Sequence, residues 1–176
     1  MNDPEHIRAW HRLSSEVTTS GMLADRNLRD LIRADIKHVL DLTPKGHPEA
    51  LPGEEHALRL LGIGYTRVSV PFATPEEEHY QAFVRAVEGL PRPLHVHCVA
   101  NYRVSAFFYR YHLECGWNEQ EARALMMQHW EPDESDEPGS TPWGRFVREA
   151  RLASERRRRI RPVANITTEM DETDAI

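Results

Sequence analysis

Apolar residues recur at two different periods along this 176-residue chain, and the switches between them mark its elements. Residues 15–20 predict a short edge strand ended by Gly21. Leu28, Leu31 and Ile32 fall on one helical face, which predicts a helix capped by Asp25 and running to about Ala34. Residues 36–42, Ile-Lys-His-Val-Leu-Asp-Leu, read as a buried strand, and Pro44, Gly46 and Pro48 then form a loop. A helix over 54–61 would turn Ala57, Leu58 and Leu61 inward and stop at Gly62; residues 65–70 form the next strand. Thr74, Pro75 and Glu77 make a capping-box pattern for a helix with Phe83, Val84 and Val87 inward. Residues 94–97 are a strand, and a helix from Arg103 or Val104 runs to Cys115, closed by Gly116. Asn118 and Glu121 open a helix to about His129. Residues 131–140 are an acidic loop with Pro and Gly, and Thr141-Pro142 begins a last long helix.

Strand and helix alternate at least three times. That order predicts an α/β fold with a central, mostly parallel sheet and helices on both faces, whose ligands sit at the carboxyl ends of the strands. No internal repeat or long linker divides the chain. The expected organisation is one domain over residues 15–160, an N-terminal extension over 1–14 and a flexible C-terminal tail over 161–176.

Composition narrows the function classes. Hydrophobic residues make up 40 % and charged residues 28 %, an ordinary balance for a globular domain. A formal charge of −6 argues against a nucleic-acid partner. The charge is uneven: Arg156 to Arg159 form a run, and Glu169, Asp171, Glu172 and Asp174 follow. This reads as a solvated helix end and an acidic tail, with a docking patch for an anionic partner as the sharper alternative. Two cysteines, Cys98 and Cys115, fit a reducing compartment. Residues 1–20 carry charge throughout and lack a signal-peptide core, and no stretch is long enough to span a bilayer. A cytoplasmic location and no membrane partner are expected.

The chemistry concentrates in His-Val-His-Cys-Val-Ala-Asn-Tyr-Arg-Val-Ser, residues 95–105. A strand–loop–helix passage aims loop and first-turn N–H groups at one point, which makes an anion site. A cysteine at the strand end lies in that field, and its thiolate is favoured there. Arg103 can fork onto two oxygens of an oxyanion, and Ser105 can hydrogen-bond the sulfur. His95 and His97 share one strand face. A His-x-His pair can hold a metal, but no carboxylate stands at a convincing spacing; His97 is expected to steady the loop behind Cys98, with no metal or other cofactor.

His97-Cys98…Arg103…Ser105 after an apolar strand resembles the signature loop of cysteine-dependent protein tyrosine and dual-specificity phosphatases. The order of Ile36–Leu42, Gly62-Ile63-Gly64-Tyr65, Val68-Ser69-Val70-Pro71 and the Phe83 helix is similar to compact phosphatases of this type. Thr19-Ser20-Gly21 looks like the opening of a bacterial family of small phosphatase-like proteins of unassigned substrate. The resemblance covers about residues 15–150. It implies hydrolysis of phosphate monoesters through a phosphocysteine on Cys98, with phosphate held by Val99, Ala100, Asn101, Tyr102 and Arg103, and Ser105 assisting breakdown. The ligand would be a phosphorylated substrate or an inorganic oxyanion such as phosphate or sulfate.

Two departures stand out. The signature has five residues between Cys and Arg, and here there are four. Either the loop is one residue shorter and Arg103 keeps its role, or loop length is kept, Val104 takes the Arg slot and Arg103 is rotated by about 100°. Asn101 replaces a Gly; Asn tolerates the positive φ such a turn needs. The second departure is the general acid. The segment Pro71-Phe72-Ala73-Thr74-Pro75 holds no carboxylate, which leaves Glu76, its neighbours Glu77 and Glu78, Asp41, or Asp133 and Glu134 as candidates. A four-residue gap is also what rhodanese-type sulfurtransferases use, but the helix expected after Gly116 is similar to phosphatases instead. A catalytically weak pseudophosphatase that binds phosphorylated or anionic ligands is the other alternative.

Overall fold

A computed structural model describes residues 3–160; the expected tail over 161–176, with its acidic cluster, lies outside the described residues. Five strands form one sheet: β1 (His11–Arg12), β2 (Val17–Ser20), β3 (His38–Asp41), β4 (Gly64–Arg67) and β5 (Leu94–His97). Their order is β1-β2-β5-β3-β4, with β1 antiparallel to β2 and all other pairs parallel. The helices are α1 (Leu28–Arg33), α2 (Glu54–Leu60), α3 (Glu77–Gly89), α4 (Tyr102–Glu114), α5 (Glu119–Met127) and α6 (Thr141–Ile160). Among the described residues no helix is long and apolar enough to cross a membrane.

The helices divide the core in two. One cluster joins Leu40, Val96 and Leu94 of the sheet to Phe83 and Val87 of α3, Val104 and Phe107 of α4, Met126 of α5 and Trp143 and Val147 of α6. The other packs Leu28 and Leu31 of α1 and Leu58 of α2 on Val39 and Ile36. Strands β3 and β5 lie inside the sheet, so both faces are covered and the runs are apolar without clean alternation.

The structure revises several boundaries. Strand β2 is not an edge: two residues of the N-terminal segment, His11 and Arg12, pair outside it through His11–Thr19 and Arg12–Thr18. Residues 3–14 pack on the same domain; Ile7 is buried and the Trp10 ring stacks on His95 at 5.0 Å. Asp25 opens a 3-10 turn rather than capping α1, and the Asn27 side chain holds the Ala24 N–H instead. Ile32 and Leu61 are largely exposed, because α1 and α2 are each too short to bring a second turn of that face onto the sheet. Helix α3 starts at Glu77 with Glu76 at its N-cap, where His79 Nδ1 accepts the Glu76 N–H at 3.1 Å; Thr74 and Pro75 stay outside. Helix α4 starts at Tyr102, a residue earlier than expected.

Candidate anion site at the cysteine loop

Strand β5 ends at His97, and the chain crosses to α4 in four residues, Cys98 to Asn101. The loop is tied on both sides. The Cys98 N–H points to Ser20 O, Val99 O accepts the Met22 N–H at 3.0 Å and His97 O accepts the Leu42 N–H at 2.9 Å. Asn101 adopts φ 65°, ψ 6°, the left-handed turn expected of it. Its side-chain amide donates to Ala9 O at 2.9 Å and Thr19 Oγ1 at 3.0 Å, and lies 3.2 Å from His129 Nε2. Gly21 is required for close approach: a Cβ there would sit 3.0 Å from Val99 O and 3.1 Å from Arg8 O. Among the described residues, the N–H groups of Val99, Ala100, Asn101 and Tyr102 donate to no protein carbonyl. A strand–loop–helix junction with unused amides is an anion cradle by construction.

Burial decides between the two orientations of α4. Val104 has no exposed surface and packs in the main core; burying such a side chain is worth about 1.5–3 kcal/mol. Arg103 turns the other way, into an open cavity of about 270 Å³. Its Nε donates to Val70 O at 2.8 Å, and its guanidinium lies over the Phe72 ring, 5.1 Å from the centroid. The loop is therefore shorter by one residue, and Val104 does not take the Arg position. The cavity is walled by Val99, Ala100, Tyr102 and Arg103 of the loop, with Arg8, His47, Glu49, Phe72 and Glu137 around it. Tyr102 stacks flat on Trp130 at 4.4 Å, and Trp143 Nε1 donates to Phe72 O at 2.7 Å, so an aromatic wall fixes one side. Cys98 has no exposed surface, packs in the main core cluster and does not line the cavity.

The earlier start of α4 displaces Ser105. Its hydroxyl donates to Tyr102 O at 3.0 Å, and its side chain lines a small crevice with His112, Ala122 and His129 rather than the anion cavity. It still stands seven positions after Cys98, but the helix begins one residue sooner and carries it about 100° around the axis.

The acid candidates separate in the same way. The Asp41 carboxylate is fully buried and already engaged: it accepts from the Thr43 N–H (2.7 Å), the Tyr65 hydroxyl (2.8 Å) and the Arg67 guanidinium (2.8 Å). Burial pushes its pKa up, but the charge of His97 and these donors outweigh burial and leave it below the ordinary carboxylate value. It is built to stay ionised, not to give a proton. Glu76 is an exposed N-cap away from the cavity wall. Asp133 is paired with Arg148 and Arg123. The carboxylates that line the cavity are Glu49 and Glu137, on the two long loops. Local sequence gave no signal for either, since loop residues declare their partners only in the folded chain.

Behind the loop, two histidines of the same strand face meet opposite surroundings. His95 is bracketed by Thr18 Oγ1 and Ser20 Oγ, each at 2.9 Å, and burial holds its pKa well below the usual value. His97 faces two carboxylates: Nε2 is 3.0 Å from Glu54 Oε1 and 3.8 Å from Asp41 Oδ1. Burial favours the neutral ring, but Glu54 and Asp41 outweigh it and raise its pKa. These three side chains bring ligand atoms within 4.8 Å of one another, a grouping sized for a cation. Arg67 stands 2.8 Å from Asp41 and His97 3.0 Å from Glu54, so the cluster reads as an ion-pair network. The carboxylate partners of His97 were missed in the sequence because they come from β3 and α2. One signal was present: Glu54 stands four residues before Leu58, on the helix face that Leu58 buries.

No family model matches the chain, and no curated protein does. Solved structures do match. The DUF442 phosphatase-type protein of Shewanella putrefaciens CN-32 superposes with a TM-score of 0.71 at 27 % identity, over 85 % of this chain and 95 % of that one. TpbA of P. aeruginosa, solved with pTyr, gives a TM-score of 0.61 at 17 % identity, over 83 % and 90 %. The catalytic core of the PP-IP phosphatase SIW14 of S. cerevisiae, solved with citrate, gives 0.64 at 14 % identity, over 86 % and 94 %. The two more distant matches speak for the fold, and the first adds sequence likeness along the whole domain. The chain therefore has the fold of these phosphatase structures, a mostly parallel sheet flanked by helices, and is similar in sequence to the first of them.

Proposed function

We propose that the protein hydrolyses phosphate monoesters through a phosphocysteine on Cys98. The observation that carries this reading is the orientation of Arg103, turned into the cavity over four unpaired loop amides while Val104 is turned into the core. The amides and Arg103 would hold the equatorial oxygens of the phosphoryl group. The Cys98 thiolate attacks phosphorus, the bond to the ester oxygen breaks, and that oxygen takes a proton from a cavity carboxylic acid, Glu49 or Glu137. Water then attacks phosphorus and gives a proton to the same carboxylate, the phosphorus–sulfur bond breaks, and inorganic phosphate and the thiolate are released. The pTyr bound by TpbA and the phosphatase name of SIW14 support an anionic, phosphorylated ligand class for this chain as well.

A second reading, anion binding without turnover, is favoured by two observations. Cys98 has no exposed surface and packs in the main core, and the Ser105 hydroxyl donates to Tyr102 O. The sulfurtransferase reading is weaker, because the solved structures compared above are phosphatases. One experiment separates the first two: titrate the protein and its Cys98→Ser variant with tungstate, and assay both on an aryl phosphate. Binding by both and turnover by the parent alone is the expected result. Binding by both and turnover by neither selects the binding module, and turnover retained by Cys98→Ser rejects the phosphocysteine.

A further inference from the structure

The cluster behind the cysteine loop has a feature that the phosphoryl chemistry does not use. Four charged groups on four elements meet here, Asp41 on β3, Arg67 on β4, Glu54 on α2 and His97 on β5, and three of them are almost wholly withdrawn from water. Arg67, the most exposed of the four, keeps 28 % of its side chain accessible, while Glu54, Asp41 and His97 are each 3 % or less exposed. Isolated charges are not tolerated at such depth, so the network must be neutral as a unit. Asp41 is answered by Arg67 at 2.8 Å. Glu54 is answered only by His97: Oε1 completes no aligned hydrogen bond, and its 3.0 Å neighbour is the imidazole. A neutral His97 would leave the buried Glu54 side chain without an opposite charge beside it.

We propose that Glu54 is a positioning residue for the cysteine loop: its carboxylate, 3.0 Å away, holds a charged His97 in place at the end of β5, next in the chain to Cys98. The inference rests on the phosphate-site reading above. The contrast with His95 sets its specificity. The two rings stack at 6.1 Å on one strand face, yet His95 meets only hydroxyls and the Trp10 ring, while His97 meets carboxylates. Burial opposes charge on both rings, and only His97 has the partner that overrides it. The groups facing His97 are Glu54, Asp41 with Arg67 and Tyr65 behind it, and His95; the backbone of Cys98 adds to the preference for the charged ring.

The test measures tungstate affinity between pH 6 and 9 in a Cys98→Ser background, which removes the thiol from the titration. Glu54→Gln keeps the shape of the side chain and removes its charge. It should weaken tungstate about tenfold near pH 7, the effect of losing one nearby buried cation, and flatten the fall in affinity as pH rises. Glu54→Asp should restore most of both. His47 on the cavity rim is unchanged in every variant, so the difference between variants isolates the Glu54–His97 pair. Equal affinities and superimposable pH profiles for the parent and Glu54→Gln would overturn the inference while leaving the phosphate site standing. Tungstate binding to neither would bring down both. A second measurement needs no variant at position 54: nitrogen-15 spectra of the intact protein should show His97 keeping its proton to higher pH than His95. The reverse order would overturn the inference.

Discussion

Arg103 Nε donates to the carbonyl of Val70 at 2.8 Å, so the guanidinium is anchored from behind and its terminal nitrogens are left for the cavity. This bond fixes the arginine before any ligand arrives and lowers the ordering cost of binding. Lysine can reproduce the charge but not the fork or the anchor. Arg103→Lys should weaken tungstate by at least tenfold and lower aryl phosphate turnover by about a hundredfold, read by calorimetric titration and steady-state kinetics. Full activity in Arg103→Lys would show that the cavity does not hold the phosphoryl group.

Ser105 faces away from the anion cavity, toward the crevice with His112 and His129. Ser105→Ala should therefore change kcat by less than about threefold and cost about 1 kcal/mol or less in denaturant unfolding, the worth of one local hydrogen bond. A large loss of kcat with KM unchanged would place its hydroxyl at the sulfur after all.

The carboxylates Glu49 and Glu137 should show a leaving-group signature. Replacing the proton donor with Gln should leave turnover of aryl phosphates with acidic phenols nearly unchanged and slow alkyl phosphates by ten to a hundredfold. Assaying Glu49→Gln and Glu137→Gln on both substrate types identifies the donor. If neither variant separates the substrates, protonation comes from elsewhere.

Stability should depend on pH in two opposite windows. Asp41 has a lowered pKa in the fold, so its contribution is present above its unfolded value and is lost as pH falls through the folded one. His97 has a raised pKa, so its contribution is complete below the unfolded value and is lost as pH rises through the folded one. Asp41→Asn, which strips the Arg67 guanidinium of its partner, should cost about 3 kcal/mol and flatten the acid limb of the melting profile. An unchanged acid limb would show that Asp41 is not the responsible group.

Gly21→Ala should disturb the loop from a distance in sequence. The added methyl meets backbone oxygens of Val99 and Arg8 at 3.0–3.1 Å, and both are held by hydrogen bonds. A loss of about 1–3 kcal/mol in stability is expected, with weaker tungstate binding. Wild-type affinity in this variant would mean that the loop adjusts freely.

Much of this was legible in the residues. Strand β5 ended where the sequence placed it, and the alternation of strands and helices was enough for the layered α/β fold. Asn101 announced its positive φ because few other residues accept it. What could not be read was rotation and long-range pairing. One residue at the start of α4 moves every later side chain by about 100°, and that shift decided the fate of Ser105 and Val104. Glu54 looked like an ordinary first-turn acid until β5 brought His97 to it. Residues 3–14 looked detachable because two residues of strand are too short to show a period.

The tether from Asn101 to Ala9 spans 92 residues, and the bond from His95 to Thr18 spans 77. Contacts of such separation form only after the chain has closed its largest loops. The anion pocket is thus assembled by the whole domain rather than by its signature segment. Recovery of tungstate binding during refolding should track global folding, and a nascent chain that has just emerged past Ser105 still needs its earliest residues in place to own a site.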